Sequence, residues 1–254
     1  MKKHDIEQKL NNDIKSDKLY KQLLAPKEEK IITEQIKYEH KEICKKCGGY
    51  CCKKCGCDYF VSDFKSMKID YLEQILETGK VSIVSTLYFD RLSNNKLLCI
   101  PKLYLRARNN NRDVIDLLSF KTRCSQLEQN GCHYDITTRP SGGIALIPSH
   151  DICYSKIDRL EELNKWLPYQ KVLERLVKRY TQKSVIEKLK EDVENLVYNF
   201  FVGNYQDSFE EEIDEIRRLL PLLSECFPDE CKRAIIKYQN QSKLVLPKIL
   251  KKTK

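Results

Sequence analysis

The chain has 254 residues, 41% of them hydrophobic and 9% aromatic, values that exclude wholesale disorder and allow a real core. Its formal charge is +9, but eight positive charges follow the last acid, Glu230, so nucleic-acid binding is not indicated beyond that basic tail. The N-terminus lacks a secretory h-region and no apolar run approaches the ~18 residues of a bilayer span, so a cytoplasmic location with no membrane partner is expected.

Residues 1–43 are polar, with scattered apolar positions such as Leu19, Tyr20, Leu23 and Leu24, and predict two amphipathic helical pieces broken near Pro26. Residues 44–57 are too rich in Cys and Gly for regular structure and predict a ligand loop. Ser62-Asp63-Phe64 then opens a helix through Ile69, Leu72, Ile75 and Leu76, with Gly79 as its stop. Val81–Ser85 and Leu97–Ile100 flank a turn at Ser93-Asn94-Asn95, and a third run, Leu103–Arg108, alternates before a turn at Asn109–Asn111. These runs predict a small antiparallel sheet. From Ser155 onward the pattern is helical, through Leu160–Val177 and then 183–202, 209–226 and 229–240.

The fold class expected is therefore α+β and mostly helical: a cysteine-rich metal-binding module with a small antiparallel sheet, followed by a helical C-terminal region. The divisions fall at 1–43, 44–154 and 155–254.

Twelve cysteines would fit six disulfides, but the chain is too long to need them and a reducing cytosol disfavours them. Cys51 and Cys52 are adjacent, and Cys55 and Cys57 are one residue apart. Such crowding suits thiolates converging on one ion or cluster. Cys44-x2-Cys47 has the spacing that grips one ion within a tight turn, and the intervening Lys45, Lys46, Lys53 and Lys54 would lower the thiol pKa values. Cys124 and Cys132 bracket a turn at Asn130-Gly131, and Cys153 follows. Eight ligand candidates result: Cys44, Cys47, Cys51, Cys52, Cys57, Cys124, Cys132 and Cys153. They could hold zinc or an iron–sulfur cluster. The C-x3-C-x2-C pattern of radical S-adenosylmethionine enzymes is absent.

The C-x2-C-x3-C-C knuckle, the Cys124…Gly131-Cys132-His133-Tyr134 segment and Arg139-Pro140 resemble the YkgJ-type cysteine-cluster proteins, over roughly residues 44–153. That family is described as a zinc- or iron-chelating domain, and flagellin lysine N-methylases carry a related one. The resemblance implies that Cys44, Cys47, Cys51, Cys52, Cys124 and Cys132 are ligands. The family commonly places a further cysteine soon after Arg-Pro. Ser141-Gly142-Gly143 stands there instead, and Cys153 is the candidate to fill the vacancy.

Other positions read more plainly. Cys99 predicts a buried core thiol, Cys226 and Cys231 ordinary packing, and Cys55 stays open between ligand, spare thiol and redox partner. His40, His133 and His150 each predict a surface or packing histidine rather than a zinc ligand. Arg106 and Arg108 could present to an anionic substrate, but a solvated strand face is the simpler expectation. Gly142-Gly143 predicts a turn. Two functions follow. One is a non-catalytic metal-binding protein whose helical C-terminal region meets a protein partner. The alternative is an iron–sulfur enzyme or redox protein, with a lysine N-methylase-like role implied by the resemblance.

Overall fold

The computed structural model describes residues 3–27, 46, 57–108, 113–118, 124, 126–128, 131–132, 135–147, 149, 153–155, 157–204 and 210–250. The elements in chain order are α1 (Lys3–Leu23), α2 (Ile69–Glu77), β1 (Val81–Arg91), β2 (Leu97–Ala107), β3 (Leu127–Glu128), β4 (Gly131–Cys132), α3 (Ser141–Ile144), β5 (Leu146–Ile147) and β6 (Tyr154–Ser155). The helices α4 (Arg159–Asn164), α5 (Gln170–Thr181), α6 (Val185–Val202), α7 (Glu210–Cys226) and α8 (Pro228–Leu250) follow. The fold is α+β and mostly helical.

The hairpin β1–β2 is the organising element. Its strands pair antiparallel from Val81↔Ala107 to Arg91↔Leu97, closed by the turn expected at Ser93–Asn95, where Asn95 takes a left-handed φ of 63°. The separate runs predicted at Leu97–Ile100 and Leu103–Arg108 are one strand that passes through Pro101. Antiparallel pairing alternates backbone groups toward and away from the partner strand. Leu103 and Leu105 turn theirs away from β1: Leu103 bonds the Gln170 side chain, and the Leu105 carbonyl accepts from Tyr59 N–H at 2.9 Å. Pro101 has the same parity, so its missing N–H removes no rung of the hairpin.

Both outer edges of the hairpin are covered in the half away from its turn. On the β1 side, Ile83 pairs parallel with Ile115, donating to Val114 O at 2.8 Å and accepting from Asp116 N–H at 2.9 Å. On the β2 side, residues 57–59 run antiparallel, with the Asp58↔Arg106 bridge between the Tyr59→Leu105 and Ala107→Cys57 hydrogen bonds. Covered edges remove a template for intermolecular pairing.

The helix predicted to open at Ser62 begins instead at Ile69; residues 61–63 form a single 3-10 turn. Asp63 folds its carboxylate back onto the Phe60 N–H at 2.8 Å, so its capping capacity is spent on that turn. The stop at Gly79 is as expected, with φ at 72° and its N–H on Leu76 O.

Buried side chains from α1 (Tyr20, Leu23), α2 (Leu72, Ile75), the hairpin (Ile83, Leu105) and the C-terminal helices (Leu173, Val193, Leu223) form one continuous cluster. Trp166 is its largest member, and its indole N–H donates to Tyr59 O at 3.2 Å. Helices α6 and α8 lie side by side: Arg233 reaches Glu194 at 2.8 Å, Lys237 sits 4.6 Å over the Tyr198 ring, and Tyr238 stacks near Phe201 at 5.7 Å. Contacts that advance together along both helices mean that the two run parallel, and α7 makes the return between them. Among the described residues, no helix is long and apolar enough to cross a membrane.

Candidate functional site

The last cysteine of the N-terminal string, Cys57, opens the strand-like segment on the edge of β2. Its carbonyl accepts the Ala107 N–H at 2.8 Å, which fixes its backbone, and its side chain is half-buried. The sulfur packs on α3. A Cβ added at Gly143 would lie 2.6 Å from Cys57 Sγ, and one at Gly142 would lie 2.6 Å from Asp58 O. Gly142 N–H donates to that same carbonyl at 3.0 Å, so residues 57–58 and the Ser141–Ile144 turn meet at a distance only glycine permits.

The Asp58 side chain pairs with two arginines. Its two carboxylate oxygens each accept a guanidinium Nε at 2.7 Å, Oδ1 from Arg106 and Oδ2 from Arg159. Both guanidinium groups also donate to Tyr104 Oη, at 2.5 Å and 3.1 Å, and lie over its ring. Burial alone would raise the Asp58 carboxyl, but the two guanidinium charges and their hydrogen bonds outweigh it and hold it below the usual carboxylate range. Burial pushes the Tyr104 hydroxyl the other way, above its ordinary value.

A second buried carboxylate meets the same turn at Ser141. Asp63, fully buried, accepts from Phe60 N–H, from Ser141 N–H at 3.0 Å and from Ser141 Oγ at 2.5 Å, and it pairs with the Lys27 ammonium. Lys27 also donates to Ser141 Oγ at 2.9 Å. Burial lowers Lys27 to about 8, which leaves it charged at neutral pH beside its carboxylate partner. Close by, Tyr20 Oη donates to Thr138 O at 2.8 Å and lies 2.7 Å from Tyr59 Oη, so α1 is joined to the segment that leads into Arg139-Pro140.

Of the eight ligand candidates, Cys44, Cys47, Cys51 and Cys52 lie outside the described residues, as do Cys55 and the three histidines considered. Cys124 and Cys132 come to the base of one small hairpin. Leu127 N–H donates to Cys124 O at 3.1 Å, and Leu127 is the strand partner of Cys132. Cys124 is buried and Cys132 half-buried. Cys153 immediately precedes β6, whose Tyr154 pairs with Ile147 a few residues beyond Gly143. Among the described residues, no group of three or more His, Cys, Asp or Glu side chains is arranged to hold a metal ion.

The remaining cysteines occupy apolar ground. Cys99 is buried in β2, and burial with the nearby Cys226 pushes its thiol up to about 12. Cys226 donates weakly to Leu97 O at 3.7 Å and Cys231 is buried beside Ser224; burial raises both thiols. Arg106 and Arg108, expected on a solvated face, are both buried. Arg106 serves Asp58, and Arg108 donates at 3.2 Å to the Leu76 and Val81 carbonyls, closing the end of α2. The expectation failed because a strand with both edges covered and helices packed on it has no solvated face there.

Sequence reasoning missed Asp58, Asp63, Arg159 and Lys27. A signal was available for two of them. Asp58 and Asp63 bracket the largely apolar run Tyr59-Phe60-Val61-Ser62, and an acid beside such a run is buried only with a partner. Compared with known proteins, the chain matches no family model, no curated protein and no solved structure.

Proposed function

We propose that this chain is a cysteine-ligated metal-binding protein, taking zinc or an iron–sulfur cluster on thiolates drawn from Cys44, Cys47, Cys51, Cys52, Cys57, Cys124, Cys132 and Cys153. The observation that carries the reading is the concentration of six cysteines within residues 44–57. The contrast with Cys99, Cys226 and Cys231 supports it, because burial raises those three thiols and suits them poorly to act as thiolates. The cysteine spacing that resembles the YkgJ-type proteins points the same way. Metal held between the string and the later cysteines would tie residues 44–153 together, and the energy of binding would be spent on folding that part.

A non-catalytic role is favoured over an iron–sulfur enzyme or a lysine N-methylase-like one. The arginines that could have received an anionic substrate are committed, Arg106 to Asp58 and Arg108 to backbone carbonyls. A reducing cytoplasm is the setting in which such thiols remain available, and the helical C-terminal region is the part left to meet a protein partner.

Anaerobic purification followed by metal analysis and a visible spectrum tests the reading. A colourless protein with stoichiometric zinc, or a coloured one with iron and sulfide, supports it. A chain that isolates without metal and takes up neither zinc nor iron on reconstitution refutes it.

A further inference from the structure

Asp63 is an expensive residue to bury. A carboxylate removed from water is tolerated only when charge and hydrogen bonds replace its hydration, and an apolar side chain could hold a turn at less cost. What the carboxylate does here is bind three separated stretches of chain at once. Lys27 precedes the cysteine string, Phe60 follows it, and Ser141 begins the turn that receives the Cys57 sulfur. The Asp63 carbonyl adds a fourth link, accepting from Ala25 N–H at 2.8 Å. From Ser141 the restraint passes directly to the cysteine: Gly142 N–H holds Asp58 O, and Gly143 leaves the space into which Cys57 Sγ fits.

We propose that Asp63 and Ser141 are positioning residues for the metal site, and that Gly143 sets where the Cys57 sulfur stands. The inference rests on the metal-binding reading above and deepens it. Cys57, the member of the string among the described residues, is then a ligand oriented before metal arrives, its backbone fixed by Ala107 and its sulfur by the Ser141–Ile144 turn. Groups that orient ligands without touching the ion typically change affinity by about tenfold to a hundredfold when removed.

The test compares the full-length wild type with Gly143→Ala, Ser141→Ala and Asp63→Asn, each first shown to be folded by circular dichroism. Zinc affinity is read by chelator competition, and cobalt(II) substitution reports thiolate ligation through its sulfur-to-metal charge-transfer band. If the wild type isolates with iron, iron per chain and visible absorbance serve instead. The expected result is a zinc dissociation constant roughly tenfold to a hundredfold higher in the variants. Gly143→Ala also weakens the charge-transfer band, because its new Cβ displaces one sulfur. Gly143 is not in the left-handed region, so alanine there is strained by space alone. If Asp63→Asn fails to fold, Ser141→Ala and Gly143→Ala decide the matter. Variants that melt earlier yet keep wild-type affinity and spectrum overturn the positioning role and leave the metal-binding reading intact. A wild type that binds no zinc, cobalt or iron overturns both.

Discussion

Asp58 and Arg159 stand 101 residues apart in the chain, yet the guanidinium Nε lies 2.7 Å from the carboxylate Oδ2. The pair joins the segment that leaves the cysteine string to the first residue of α4, and therefore the hairpin to the helical C-terminal region. The shared carboxylate also holds Arg106, so it sits between two positive charges of very different exposure. The Arg159 side chain is 52% exposed and that of Arg106 only 11%.

Removing the carboxylate leaves the Arg106 guanidinium buried without its anion. Asp58→Ala should therefore destabilise the fold by about 3 kcal/mol, whereas Arg159→Ala, at the exposed end, should cost about 1 kcal/mol. Urea unfolding of the two variants checks the order. Equal costs would mean that the buried arm does not dominate.

The same carboxylate gives a signed pH dependence. Its folded pKa lies below the ordinary 3.8, so the unfolded chain takes up a proton first as pH falls. The stabilisation is complete above that value and is lost as pH drops through the folded pKa. Urea midpoints measured from neutral pH down to the acid limit should fall less steeply in Asp58→Asn than in the wild type.

Asp192 on α6 behaves oppositely. Burial is the largest influence and raises its carboxyl to about 6, against the pull of Lys188. The folded state keeps the proton in the window between the ordinary 3.8 and about 6, where the unfolded state has released it. Stability contributed by this group therefore declines as pH rises across that window. A carbon-13 titration placing Asp192 near the ordinary carboxylate value would contradict this.

Gln170 closes a piece of the β2 edge with its amide alone. Leu103 N–H donates to Oε1 and Leu103 O accepts from Nε2, both at 2.8 Å. Gln170→Ala should cost about 2 kcal/mol, the penalty for leaving partly buried backbone groups without partners. Amide exchange at Leu103 should accelerate more than at Ala107, whose N–H is held by the Cys57 carbonyl.

Cys99, with its thiol pushed up to about 12, should resist iodoacetamide at pH 8 in the folded protein and react fully in urea. Cys99→Ala should leave metal content unchanged, and Cys57→Ser should lower it. Mass mapping of the alkylated chain and metal analysis read the two effects separately.

Much of this molecule follows from local pattern. Helical periodicity places α6 and α7 to within a few residues, because amphipathic spacing and caps such as the Ser184–Glu187 box are properties of neighbouring positions. Gly79 ends α2 for the same local reason. The hairpin turn at Asn94-Asn95 was legible too, but the continuity of β2 through Pro101 was not. Whether a proline breaks a strand depends on which way its nitrogen faces, and that is set by register with β1. The cysteine string announced itself by composition alone. Only the tertiary structure decided that Cys57 would rest on Gly143, that Asp63 would gather Lys27, Phe60 and Ser141, and that Arg106 would turn inward to Asp58. Apart from the Asp63–Phe60 contact within one turn, each of these joins residues far apart in the chain. A charge that looks solvated in sequence becomes a buried partner once both edges of the hairpin are covered, because water is no longer there to hold it.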